Sequence, residues 1–201
     1  MTLDEIAIKH GTDKATTHPV KGHGYAPHYA RFFDELRNSP IKFLEIGVGG
    51  GESIRTWLEY FPNASIFGVD NVVNTNPWNT PKSGIHGRYT FVSGDQSDET
   101  MWKCLTADYG TDWDIIIDDG GHYADQVITS YKFLWKHVRS GGLYCIEDLA
   151  VAYGGPPFTP SGWPNHMDFI KDKLDDINLR DDIESLNFSK ELAIITKKHC
   201  V

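Results

Sequence analysis

Two apolar runs in this 201-residue chain end directly in acid. The first is Asp114-Ile115-Ile116-Ile117, followed by Asp118-Asp119-Gly120-Gly121-His122. The second is Gly142-Leu143-Tyr144-Cys145-Ile146, followed by Glu147-Asp148. Apolar residues without polar alternation read as a strand buried on both faces, and such strands belong to parallel sheets covered by helices on both sides. The acids then stand at the carboxyl edge of the sheet, where open α/β folds bind ligands.

The rest of the chain fits that frame. Thr2-Leu3-Asp4-Glu5 is a capping box opening a short helix that ends near Gly11. A second helix begins at Pro27, with Tyr29, Phe32, Phe33 and Leu36 on one face. Strands are expected at 42–46, 65–69, 89–92, 113–117 and 143–146. Helices are expected at 52–61, 98–107 and 123–138, with a polar loop at 71–87. Residues 150–166 are dense in Gly, Pro and aromatics, too long for a simple connection, and read as a lid or substrate wall. A helix at 167–174 follows, then strands at 183–188 and 192–196 joined by a tight turn at Ser189-Lys190. The expected fold is α/β: a doubly wound, Rossmann-like sheet, mostly parallel, closed by an antiparallel C-terminal hairpin. One domain spans 1–201, with 1–40 as a helical cap and 150–180 as a lid insertion.

Composition narrows the function. A net charge of -9 argues against a general nucleic-acid binder, which needs a basic surface. No segment has the length of a membrane span, and the first residues do not read as a signal peptide. Cys104, Cys145 and Cys200 form no CxxC, so neither zinc nor a disulfide framework is indicated, and a reducing cytoplasmic setting fits best.

The first strand runs into Glu45-Ile46-Gly47-Val48-Gly49-Gly50-Gly51. These glycines allow a sharp turn and the close approach of a ligand. Asp70, ending the second strand, suits ribose hydroxyls. The dinucleotide pattern GxGxxG starting at Gly47 fails, because Glu52 stands where the third glycine belongs. Glu45 suits a cofactor with a cationic end, such as the ammonium of S-adenosylmethionine. A nicotinamide-dependent oxidoreductase and a non-catalytic cofactor-binding protein are the rival readings.

Asp119, Glu147 and Asp148 offer hard oxygen ligands, which favour magnesium, manganese or calcium over zinc or copper. The competing reading is that such acids cap the following helices; Asp118 caps or contacts the cofactor. His122 stands at the sheet mouth as a candidate base. An imidazole in an ordinary setting titrates near about 6.5 and accepts a proton at neutral pH. An alcohol holds its proton too tightly for imidazole alone, and a metal would stabilise the alkoxide as it forms. Metal and base therefore explain each other's presence.

Gly11-Thr12-Asp13-Lys14, His28-Tyr29, the 44–50 turn, Gly94-Asp95-Gln96-Ser97-Asp98, Ile117 to His122 and Gly141 to Asp148 occur in that order. In this arrangement the chain resembles the class I methyltransferases. It looks like the catalytic domain of the metal-dependent sugar O-methyltransferases of macrolide pathways, of the mycinamicin and tylosin type, and is similar to small polysaccharide O-methyltransferases. The resemblance implies magnesium on Asp119, Glu147 and Asp148, with His122 as base. It implies S-adenosylmethionine held by Gly47, Gly49, Asp70, Asp95 and Gln96, with Asp13 and Lys14 closing the site. The acceptor would be a hydroxyl of a sugar or glycosylated small molecule, with Tyr153, Phe158 and Trp163 of the lid either stacking on it or packing on the core. Homo-oligomerisation is left open. Three departures from the family pattern are expected: Gly121, where many relatives have Ser, the larger enzymes' N-terminal domain without a counterpart here, and the segment from Ala152 to His166, which is this chain's own.

Overall fold

The computed structural model describes residues 1–72, 87–154 and 157–199. Thr2 caps helix α1 (Leu3–His10) by accepting from the Glu5 amide, and Glu5 returns the bond, so the expected capping box is present. Helix α2 (Ala26–Phe33) follows with Pro near its start. The sheet comprises β1 (Lys42–Ile46), β2 (Ser65–Asp70), β3 (Tyr89–Ser93), β4 (Trp113–Asp118), β5 (Val138–Ile146), β6 (Ile183–Ser189) and β7 (Leu192–Lys197). Helices α3 (Glu52–Tyr60), α4 (Glu99–Tyr109), α5 (Ala124–Leu134) and α6 (His166–Leu179) cover it.

Strand order is β3-β2-β1-β4-β5-β7-β6. The first five strands are parallel; β7 joins β5 antiparallel, and β6 pairs antiparallel with β7. This is the doubly wound sheet with a closing hairpin that the sequence predicts. The chain winds outward from β1 to β3 and then returns to place β4 on the other side of β1. That reversal opens a crevice at the carboxyl ends of β1 and β4.

Alternation along the strands sorts the core into two layers. Phe43, Ile115, Ile117, Cys145 and Ile194 pack with α1, α2 and α3, around Phe33, Trp57 and Phe61. Leu44, Ile116, Tyr144, Ile146 and Ile195 face the other way, onto Trp102, Ile128, Tyr131 and Phe169. The same alternation holds up to the strand ends. Glu45 shares a face with the first layer and Asp118 with the second.

Several boundaries differ from the sequence expectation, the largest differences being at α5, β5 and α6. The helix expected through Val138 ends at Leu134, a 3-10 turn covers Trp135–His137, and β5 begins at Val138. The Gly141-Gly142 pair lies inside that strand, where no periodic signal marks it. Helix α6 starts at His166 behind the Asn165 cap and extends to Leu179, a length that its polar outer face hides in the sequence. Most of the loop expected at 71–87 lies outside the described residues. Among the described residues no helix is long and apolar enough to cross a membrane.

His166 opens α6 and is buried, with no hydrogen-bond partner for Nδ1 among the described residues. Burial, and then the charge of His122, lower its pKa; a helix N-terminus likewise disfavours an imidazolium. A lowered pKa means that the unfolded chain takes the proton first. This stabilising contribution is present above about pH 6.5 and is lost as pH falls from there toward the folded-state value. His166→Gln is therefore expected to lose less Tm than the wild type between pH 7.5 and 5.5, measured by thermal melts in matched buffers.

Candidate active site

A cavity of about 560 Å³ lies at the crevice. Of the residues expected at the cofactor, Asp13, Lys14, Gly47, Gly49, Asp70, Asp95 and Gln96 line it, and so does Asp119. Val48 and Gly49 donate their amides to Asp70 Oδ2 at 2.9 and 3.1 Å, so the acid at the end of β2 braces the glycine turn. Asp95 accepts from the amide and hydroxyl of Ser97 at 2.8 Å each, shaping the next loop.

Glu45 and Asp118 sit behind the cavity wall rather than on it. Glu45 is fully buried; it accepts from Ser53 Oγ at 2.9 Å and from Trp57 Nε1 at 3.2 Å. Burial pushes its carboxyl up to about 7, against the pull of Lys14. Asp118 accepts from Ser130 Oγ at 2.6 Å and Gln96 Nε2 at 3.0 Å. Gln96 also accepts from the Gly121 amide at 2.9 Å, so one side chain ties Asp118 to the Asp119–His122 loop. Alternation explains both positions: each acid is the last inward-facing residue of its strand.

The metal candidates separate in an informative way. Oxygens of Asp119 and Asp148 and a ring nitrogen of His122 lie within 4.8 Å of one another. His122 Nε2 stands 3.5 Å from Asp148 Oδ2. Both residues adopt positive φ, 59° and 55°, which is costly for non-glycine residues and turns their side chains back toward the crevice. Asp148 is fixed by Tyr25, whose hydroxyl donates to Oδ1 at 2.7 Å and accepts the Asp148 amide at 3.3 Å. Burial is the largest influence on Asp148 and pushes its pKa up; the Tyr25 bond and the charges of His122 and His23 outweigh it and hold the carboxyl below its ordinary range.

Glu147 faces the first layer with Glu45. It accepts from Tyr29 Oη at 2.6 Å and from Lys14 Nζ at 2.7 Å. Lys14 also donates to Asp119 and stands 3.8 Å from Glu45. Burial and then the charge of Asp119 raise the Glu147 pKa well above normal. Burial raises Asp119 as well, against Lys14. For Lys14 itself burial works downward, and the three carboxylates overcome it.

Tyr25 and His23 carry no role in the sequence reading, and Tyr29 carries only a place on a helix face and in the His28-Tyr29 motif. Their signal is two tyrosines four apart at a helix start, which places both hydroxyls on one side of α2. Glu191, 3.3 Å from His23 Nδ1, arrives on the hairpin tip, and no local pattern marks it. In the lid, Phe158 accepts the Ala124 amide at 2.8 Å and lies 5.5 Å from the Tyr123 ring, whereas Tyr153 is exposed.

Residues 44–149 match the model of a family described as a methyltransferase domain, and the chain belongs to that family. It is 42% identical over 138 residues to demethylmacrocin O-methyltransferase of Streptomyces fradiae, covering 65% of this chain and 33% of that protein. It is 34% identical over 188 residues to a tetracenomycin 3'-O-methyltransferase of Streptomyces olivaceus, covering 88% of this chain and 45% of the other. Among solved structures it is similar to the MycE methyltransferase of the mycinamycin pathway, in complex with Mg and SAH. The TM-score is 0.84 at 32% identity, over 99% of this chain and 55% of that one. The chain thus spans about a third to a half of the curated relatives it matches.

Proposed function

We propose that this chain carries out S-adenosylmethionine- and divalent-cation-dependent O-methylation of a hydroxyl on a sugar or glycosylated small molecule. The observation that carries this reading is the convergence of Asp119, Asp148 and His122 to within 4.8 Å of one another, with Asp119 also lining the glycine-turn cavity. The relatives' names support it, since MycE is described with Mg, SAH and mycinamycin VI. The chain acts as one catalytic unit, with 1–40 as cap and 150–180 as substrate wall, on a small acceptor in the cytoplasm rather than on nucleic acid or at a membrane.

The donor set fits a hard cation: the Asp119 and Asp148 oxygens converge, and Glu147 is the next carboxylate on the same strand end. Asp119, Glu147 and Asp148 would hold it, and when bound it would lower the proton affinity of an acceptor hydroxyl. The cavity fits the cofactor in size, and its Gly47–Gly49 backbone, Asp13, Asp70, Asp95 and Gln96 would hold the nucleoside and amino-acid ends. Glu45 and Asp118 support the turn and the loop from behind. His122 accepts the hydroxyl proton at Nε2, and the resulting imidazolium lies against Asp148, which is held ionised. When bound, the sulfonium of S-adenosylmethionine would supply the methyl group, the O–CH3 bond forming as the S–CH3 bond breaks, with the hydroxyl proton left on His122. Positioning and fixed charge do much of the work.

Purified protein with labelled S-adenosylmethionine and a panel of glycosides tests this directly. Label transfer is expected to stop with chelator and return with Mg2+, and Asp119→Ala is expected to be inactive in both. Turnover unchanged by chelation, together with an active Asp119→Ala, would remove the metal reading.

A further inference from the structure

Lys14 occupies an unusual place for a lysine. Its side chain is 1% exposed, and its ammonium contacts carboxylates from three strands. Glu45 follows β1's inward face, Asp119 leaves β4, and Glu147 leaves β5. Backbone bonds fix the segment around it: the Ala26 amide donates to the Lys14 carbonyl at 2.9 Å, and the His23 amide to Asp13 at 2.7 Å. The main chain is held, so the freedom left to Lys14 is in its four-methylene stem, which ends beside the cavity.

One ammonium faces three carboxylates, of which Glu45 and Glu147 are buried and Asp119 is partly exposed. Unpaired buried charge is strongly destabilising, so a chain without any cation at this position would be hard to fold. Glu147 is the candidate metal ligand that lies apart from the Asp119–His122–Asp148 convergence, and Lys14 and Tyr29 hold it. The same ammonium bonds Asp119, which belongs to that convergence. Asp119 and Asp148 side chains are each 23% exposed, so a cation from solvent reaches the group from their side and meets Lys14 behind them.

We propose that Lys14 is the resident counter-ion of this carboxylate group, holding Asp119 and Glu147 until a divalent cation takes them over. The ammonium and the cation draw on the same two carboxylates, so each weakens the other's hold. Lys14 is a positioning residue that keeps the site folded and sets its metal affinity low enough to depend on supply. This rests on the divalent-cation reading above.

The test is calorimetric titration of Mg2+ into the wild-type chain and Lys14→Met, with thermal melts alongside. Lys14→Met is expected to bind Mg2+ about tenfold more tightly, at the low end of the coupling seen between two ligands. It is also expected to melt lower than the wild type without Mg2+ and to gain more Tm when Mg2+ is added. Equal or weaker binding by the variant overturns the proposal while leaving the cation reading intact. If neither protein binds Mg2+, both fall. Where Lys14→Met does not fold, the wild type decides through the 15N signal of its buried ammonium, distinguished from that of Lys173 by a Lys173→Arg control. That signal is expected to shift on saturation with Mg2+, and a signal that stays fixed overturns the proposal.

Discussion

His122→Asn is expected to lower kcat by about 10²–10⁴-fold, the usual contribution of a positioned general base. Asparagine is the informative replacement because His122 sits at φ 59°. Among residues with a side chain, Asn tolerates this left-handed conformation well, whereas alanine adds backbone strain to any chemical effect. Stability should therefore change by less than about 1 kcal/mol. The measurement separates two roles that the geometry brings close together. His122 lies within reach of Asp119 and Asp148 and so could serve the cation as a nitrogen ligand. A base acts on the acceptor proton, so its loss leaves Mg2+ affinity unchanged and removes the acidic limb of the kcat/KM profile. A ligand acts on the metal, so its loss weakens Mg2+ binding by about tenfold or more. Calorimetry on His122→Asn, set beside its pH–rate profile, assigns the residue to one role.

The sequence displays the sheet clearly because parallel strands must be apolar on both faces, and Ile115-Ile116-Ile117 cannot be read as anything solvent-facing. It also displays the acids, since Asp119, Glu147 and Asp148 interrupt those runs. Their directions are less visible. Glu147 and Asp148 are neighbours in sequence, yet one meets Tyr29 and Lys14 and the other meets Tyr25 and His122. A left-handed φ at a non-glycine residue decides this, and Asp148 carries no local mark of it. Glu45 shows the same limit. Its place before the glycines suggests a ligand contact, but the pleat of β1 turns it inward, onto Ser53 and Trp57. Lys14 is 105 residues from Asp119 and 133 from Glu147, separations that no periodicity spans.

Gly47→Ala is expected to disturb cofactor and metal positions together, although the residue carries no side chain. Gly47 has φ 87°, and a Cβ built there would lie 1.9 Å from the Asp119 carbonyl oxygen and 2.9 Å from Gly120 Cα. Both obstacles are backbone, so no side-chain rotation relieves them. The surroundings are also pinned: the Gly47 amide donates to Val69 at 2.8 Å and the Asp119 amide to Ile46 at 2.9 Å. Left-handed backbone costs an alanine about 1–2 kcal/mol, and overpacking adds about 1–3 kcal/mol. A loss of about 2–5 kcal/mol follows, measurable by urea unfolding as a lower midpoint at unchanged slope. What separates this from general destabilisation is where the strain goes. The β4 loop must shift relative to the turn, displacing Asp119 relative to Asp148 and Gly120 relative to Gln96. Folded Gly47→Ala should then bind Mg2+ and S-adenosylhomocysteine more weakly than the wild type at the same temperature. Gly110→Ala, with positive φ but only the tip of Lys42 nearby, should lose stability alone. If both variants kept wild-type affinity for the two ligands, the turn and the carboxylate loop would not be acting as one site.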